Sequence, residues 1–147
     1  MARIRVPTLL IAGLAGLLAV GPALADDPIK ERRENRKEVG DLAKQIKAVV
    51  DAGGPASAVV EPAKKIVALE SGFDKLFPPG SDKGDTKALP AVWSDMSGFQ
   101  AASHNLTTQA TKLADAGAAG KSPDEIKAAF GEMGKACGGC HNTYRAK

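Results

Sequence analysis

Aromatic residues are scarce in this chain: one tryptophan, one tyrosine and four phenylalanines make up 4% of 147 residues. A core with so few rings leans on alanine, valine and leucine, which favours close helix packing, and a large buried cofactor would add the apolar contact that the side chains lack. No stretch alternates with the period of two that marks a half-buried strand, which argues against sheet-based folds. Cysteine and histidine number only two each. A structural zinc site needs four ligands, and adjacent Cys140 and His141 could hardly both bind one ion from a helix, so zinc finds no support. The chain also lacks a dominant charge. Its formal net charge is +3, of which Arg3 and Arg5 contribute two, so the rest is close to neutral and shows no basic footprint for nucleic acid.

Only one long apolar run is present, Leu9 to Val20. Arg3 and Arg5 before it and Ala23-Leu24-Ala25 after it make an export signal, with cleavage predicted after Ala25. Residues 26–147 then form one domain, with no membrane attachment after cleavage. A retained anchor is the alternative, but the run is short and broken by glycines, and no second such run follows.

Against that sparse background, Cys137-Gly138-Gly139-Cys140-His141 stands out. The spacing reads as a haem c attachment site. Each thiol can add across one haem vinyl group, and the adjacent imidazole can reach the iron as proximal ligand, making His141 the candidate metal ligand. On a helix, steps of three and four residues put Cys137, Cys140 and His141 on one face. The two glycines let the backbone lie close to a macrocycle. A redox dithiol usually belongs to a strand-helix fold, for which there is no sign here. A plain disulfide suits an exported protein but gives no reason for a histidine directly after the second cysteine. The alternative function is therefore a haem-free helical binding protein with a Cys137–Cys140 disulfide.

The periodicity predicts four helices. Helix A starts near Asp27, with Asp26 and Asp27 as caps and Pro28 in the first turn, and ends before Gly53-Gly54-Pro55; Val39, Leu42, Ile46 and Val49/Val50 face the core. Helix B follows Ala56-Ser57 and runs to about Leu76, with Pro62 leaving its regular start near Glu61. Pro78 to Pro90, with three prolines and two glycines, is a long connection. Helix C spans about Ala91 to Asp115, with Met96, Phe99, Leu106 and Leu113 inside. Helix D opens with Ser122 as cap, Pro123 in first position and Glu125 three residues after the cap, which is a capping box. Ile126, Phe130, Met133, Cys137, Cys140 and Tyr144 then share one stripe. The expected fold is all-α, an antiparallel four-helix bundle with the haem motif near the C-terminus.

Beyond the motif, Arg32 and Arg36 fall within about one-sixth of a turn of Val39 on the apolar stripe, so they either point inward or lie in a solvated first turn. His104 reads as a surface or boundary residue, Met96 and Met133 as packing, and Trp93 and Tyr144 as core filling or cofactor contacts.

These residues resemble the cytochrome c prime family, the class II c-type cytochromes, for which the four-helix bundle is itself a standard example. The resemblance rests on Asp27-Pro28-Ile29-Lys30 with Arg32, on Phe77-Pro78, on Trp93-Ser94-Asp95 with Phe99, and on Ala128-Ala129-Phe130 through Tyr144-Arg145. It implies a periplasmic monohaem protein that carries one electron, exchanged with redox partner proteins, or binds nitric oxide or carbon monoxide. It does not imply an enzyme in the turnover sense. It also implies dimers through helices A and B in many members. By position, Arg32 matches the family's arginine near a haem propionate, Arg145 the basic residue close to the proximal histidine, and Cys137, Cys140 and His141 the attachment motif. One position departs: where low-spin members carry an iron-ligating methionine and high-spin members a bulky apolar residue, this chain has Arg36. The implied iron is then five-coordinate, with Arg36 lining or gating the open face.

Overall fold

The computed structural model describes residues 27–147; the predicted export signal and its cleavage site lie outside them. Among the described residues the secondary structure is helical apart from an isolated bridge between Ala88 and Arg145. Helix α1 (Pro28–Asp51) begins where Asp27 accepts from the Ile29 amide at 3.0 Å, satisfying a donor that the first turn leaves unpaired. Its buried residues are Arg32, Val39, Leu42 and Ile46. No helix of the described residues is long and apolar enough to cross a membrane.

The second helical region is not one continuous helix. A 3-10 turn over Ala56–Val59 leads into α2 (Val60–Glu70), and a second 3-10 turn covers Phe73–Leu76. Gly72 separates them with φ of 77°, a left-handed conformation that glycine adopts without steric cost. Pro62 lies in the first turn of α2, where its missing N–H has no intrahelical partner to lose, so the helix starts ahead of the proline.

Helix C of the sequence reading is likewise two pieces, α3 (Ala91–Ser94) and α4 (Met96–Ala118). Asp95 breaks the run with φ of −132° and ψ of 57°, because its carboxylate caps α4 by accepting from the Gly98 amide at 3.1 Å. Helix α5 (Pro123–Tyr144) completes the bundle formed with α1, α2 and α4.

Two hydrophobic clusters hold these helices. The larger, aliphatic one gathers Ile46, Val59, Ile66, Ala110, Leu113 and Met133 with their neighbours. Each fully buried Ile or Leu contributes about 1.5–3 kcal/mol. The smaller one collects most of the chain's rings, Phe73, Phe77, Phe99 and Tyr144 around Val92, mainly as edge contacts with centroids 4.8–6.1 Å apart. Scarce aromatics are thus concentrated at one end of the bundle. At another point Gly117 lets α4 approach the 56–59 turn, since a Cβ there would stand 2.8 Å from the Ala56 carbonyl oxygen.

Candidate functional site

The C-terminal half of α5 carries the site, and the capping box sets where that helix begins. The Ser122 amide donates to Glu125 Oε2 at 2.9 Å, and the Glu125 amide donates back to Ser122 Oγ at 3.4 Å. Hydrogen bonds from the Ser122 backbone and hydroxyl, and then from Lys121, hold the Glu125 carboxyl down to about 2. The helix continues through Gly138-Gly139, each of which costs about 1 kcal/mol against alanine, because Ile126, Met133, Ala136 and Tyr144 anchor its inner face.

That face presents both thiols. Cys137 packs on the aliphatic cluster and Cys140 on the aromatic one, so the pair straddles the seam between them. Both are free and half-buried. Burial pushes both thiols above their ordinary value; Glu70 adds to this and Arg36 opposes it. The described residues, helical apart from one isolated bridge, give these thiols no strand-helix frame of the redox-dithiol kind. A Cβ built on Gly138 or Gly139 would meet nothing within 4 Å, so the backbone between the thiols stays uncovered.

His141 follows on the outer side of the same turn and is exposed overall. Partial desolvation, then the charges of Arg145 and Arg36, pull its imidazole below the ordinary value. It is therefore neutral at neutral pH, with a ring nitrogen lone pair available for a metal. Arg145 itself is exposed, and its backbone pairs with Ala88 as the last turn ends.

Of the three arginines of α1, Arg32 and Arg36 turn inward while Arg33 is exposed and pairs with Asp85. Arg32 is 5% exposed, stacks over Phe77 at 4.4 Å from the ring centroid, and donates from Nη2 to the Ser81 carbonyl oxygen at 2.7 Å and from Nη1 to Ser81 Oγ at 3.2 Å. Its Nε is buried with no hydrogen-bond partner. Burial, only partly offset by Asp27, lowers its pKa.

Arg36 lies over the Phe73 ring at 3.5 Å, with Nη1 2.5 Å from Glu70 Oε1. Its Nε and Nη2 donate to Asn35 Oδ1 at 2.9 and 2.7 Å. Asn35 is fixed in turn by donating to the Leu69 carbonyl oxygen at 2.8 Å, and Ser103 donates to Glu70 Oε2 at 2.9 Å. Glu70 escaped the sequence reading. The signal was present, an acid seven residues after Ala63 and four after Ile66 on the apolar stripe of α2, where a solvated carboxylate has no place.

Tyr144 donates its hydroxyl to Asp95 Oδ2 at 2.9 Å while its ring meets Phe99 edge-on. Burial raises the Tyr144 hydroxyl, and its hydrogen bond holds the Asp95 carboxyl below the usual range. Trp93 donates to the Phe77 carbonyl oxygen at 3.1 Å, His104 is exposed on α4, and Met133 is core whereas Met96 is only half-buried.

The donor set suits a haem. Two thiols lie on one inward helical face, a neutral imidazole adjoins them, apolar clusters flank them, and Arg32 keeps one buried N–H unpaired.

Comparison with known proteins agrees with this chemistry. Residues 27–145 match the family described as Cytochrome C'. A cytochrome c' of Rubrivivax gelatinosus is 40% identical over 128 residues, covering 82% of this chain and 95% of the relative. The crystal structure of cytochrome c' from Thermochromatium tepidum superposes with a TM-score of 0.77 at 30% identity, over 84% of this chain and 98% of that one. The nitric oxide complex of a leucine-to-valine mutant of cytochrome c prime from Alcaligenes xylosoxidans superposes with a TM-score of 0.73 at 28% identity, over 83% and 96%.

Proposed function

The chain belongs to the cytochrome c' family, and from that premise we propose that Cys137 and Cys140 hold its covalent haem c while His141 supplies the proximal nitrogen. The protein is a haem cytochrome of electron transfer or diatomic gas binding, and the haem-free disulfide alternative is not favoured. One observation carries the residue assignment: both thiols lie on the inward face of α5, one against each hydrophobic cluster, with a neutral imidazole next in sequence. When bound, the group supplies an iron that cycles between ferric and ferrous states.

The chain's own residues do the rest. The clusters shield the thiols in part from water, and Tyr144, packed beside Cys140 and tied to Asp95, seats the last turn of α5. Arg32 offers its unpaired Nε–H to a carboxylate, and Arg145 places a positive charge beside His141. Arg36, inward and cationic, is a poor iron ligand and a good hydrogen-bond donor. With Arg36 rather than a ligating side chain at this position, the site would leave a bound haem open to a diatomic gas, which favours gas binding over simple electron carriage.

The remaining parts of the reading rest on the sequence and the family. The first 25 residues leave on export, the protein works in the periplasm without turning over a substrate, its electrons pass to partner proteins, and two copies associate through α1 and α2. The nitric oxide complex of the Alcaligenes relative supports nitric oxide as a ligand.

Replacing both Cys137 and Cys140 with alanine tests the assignment. Wild type should retain haem through acid-acetone extraction and the double variant should not. Release of haem from wild type would refute covalent attachment. His141→Ala should keep the haem attached but change its ligand-field spectrum.

A further inference from the structure

The polar group at Arg36 is costly for the fold and is unexplained by attachment of a cofactor. Glu70 has a side chain 1% exposed, yet Oε1 has no partner of hydrogen-bond geometry, although Arg36 Nη1 lies 2.5 Å away. Charge attraction without a well-aligned hydrogen bond holds that contact. Arginine has five N–H donors. Two of those on Arg36 point at Asn35 Oδ1 and one nitrogen leans on Glu70, so the outer fork of the guanidinium is not fully used. The group lies between α1, α2 and α4, stacked on Phe73, a member of the aromatic cluster against which Cys140 packs.

We propose that Arg36 and Glu70 make this site select small hydrogen-bond-accepting monoanions as ligands of the ferric iron, Arg36 donating to the anion and Glu70 competing for the same donor. The inference rests on the attachment and open-face reading above. An apolar residue at position 36 would offer a bound anion nothing. A guanidinium in a partly dehydrated interior offers a charged hydrogen bond, stronger there than in water. Glu70 sets the threshold: its carboxylate is an intramolecular anion already beside the donor, so an incoming anion shares the guanidinium with it and binds against its charge. Neutral carbon monoxide, a weak acceptor, gains little from either residue.

The test uses the holoprotein and fluoride as probe, followed by the visible spectrum of the ferric form, with carbon monoxide binding to the ferrous form as the neutral control. Arg36→Leu should weaken fluoride roughly ten- to a hundred-fold, the range of a hydrogen bond to a charged group. Glu70→Gln should tighten it, because a neutral amide competes less for the guanidinium. Carbon monoxide affinity should change much less in both. Opposite signs separate ligand selection from a packing role, which would move both variants and both probes together; that result would overturn the proposal. Unchanged fluoride affinity in Arg36→Leu, with wild type high-spin and its haem retained, would overturn this inference alone. A low-spin ferric wild type, or one that loses its haem on extraction, would overturn the open-face or attachment reading beneath it as well.

Discussion

Removing one half of the Arg36–Glu70 pair should cost the fold unequally, depending on which half goes. Arg36→Leu strands Glu70, whose side chain is 1% exposed and keeps only Ser103 as a hydrogen-bond partner. Breaking a buried ion pair from one side costs about 3–5 kcal/mol. The low end, about 3 kcal/mol, applies here because the Arg36 side chain is 31% exposed and its charge is partly screened. Glu70→Leu is milder: the arginine keeps Asn35 and can extend its head toward water along a flexible stem, for a cost of about 1 kcal/mol. The double leucine variant has no stranded charge and should fall within about 1 kcal/mol of wild type, a coupling of about 3 kcal/mol. Urea unfolding of the four holoproteins, followed by far-ultraviolet circular dichroism at neutral pH, measures all the terms. If Arg36→Leu costs no more than Glu70→Leu, the burial asymmetry does not govern the pair, and the reasoning fails.

Position 36 also tests the spin state: Arg36→Met puts a thioether at an inward site, and electron paramagnetic resonance of the ferric protein should shift from high-spin toward low-spin. A wild-type spectrum already fully low-spin would refute the five-coordinate reading. Tyr144→Phe removes the hydroxyl that depresses the Asp95 carboxyl. A carboxyl with a lowered folded-state pKa contributes stability that is present above its unfolded value, near 3.9, and is lost as pH falls through the folded value. The melting-temperature gap between wild type and variant should therefore be widest near neutral pH and close toward about pH 2, as thermal melts would show. A gap that stays constant over that range would mean the hydroxyl acts by packing alone.

Some of this could be read locally. The Ser122, Pro123 and Glu125 signature located the start of α5 to the residue, because a capping box is closed by groups three residues apart and needs no distant partner. The α1 stripe of Val39, Leu42 and Ile46 was equally legible. The breaks at Gly72 and Asp95 were not. Gly72 is one of many glycines, and only the following turn shows that it takes a left-handed conformation. Asp95 interrupts a helical pattern because its carboxylate serves the Gly98 amide and the Tyr144 hydroxyl together, and Tyr144 is 49 residues away.

The candidate site divides along the same line. The proposed attachment chemistry was legible in the sequence alone, since two cysteines three residues apart with a histidine directly after the second form the spacing of a haem c site. Arg36 drew notice because the family resemblance implies a methionine or an apolar residue there, but periodicity left the side chain equally able to face water or the interior. Tertiary structure decided that question, because Asn35, Phe73 and Glu70 arrive from α1, the turn after α2 and α2 itself to hold the guanidinium. A buried charge is tolerable only where its partners converge, and convergence across helices is a property of packing, which a linear spacing rule does not contain.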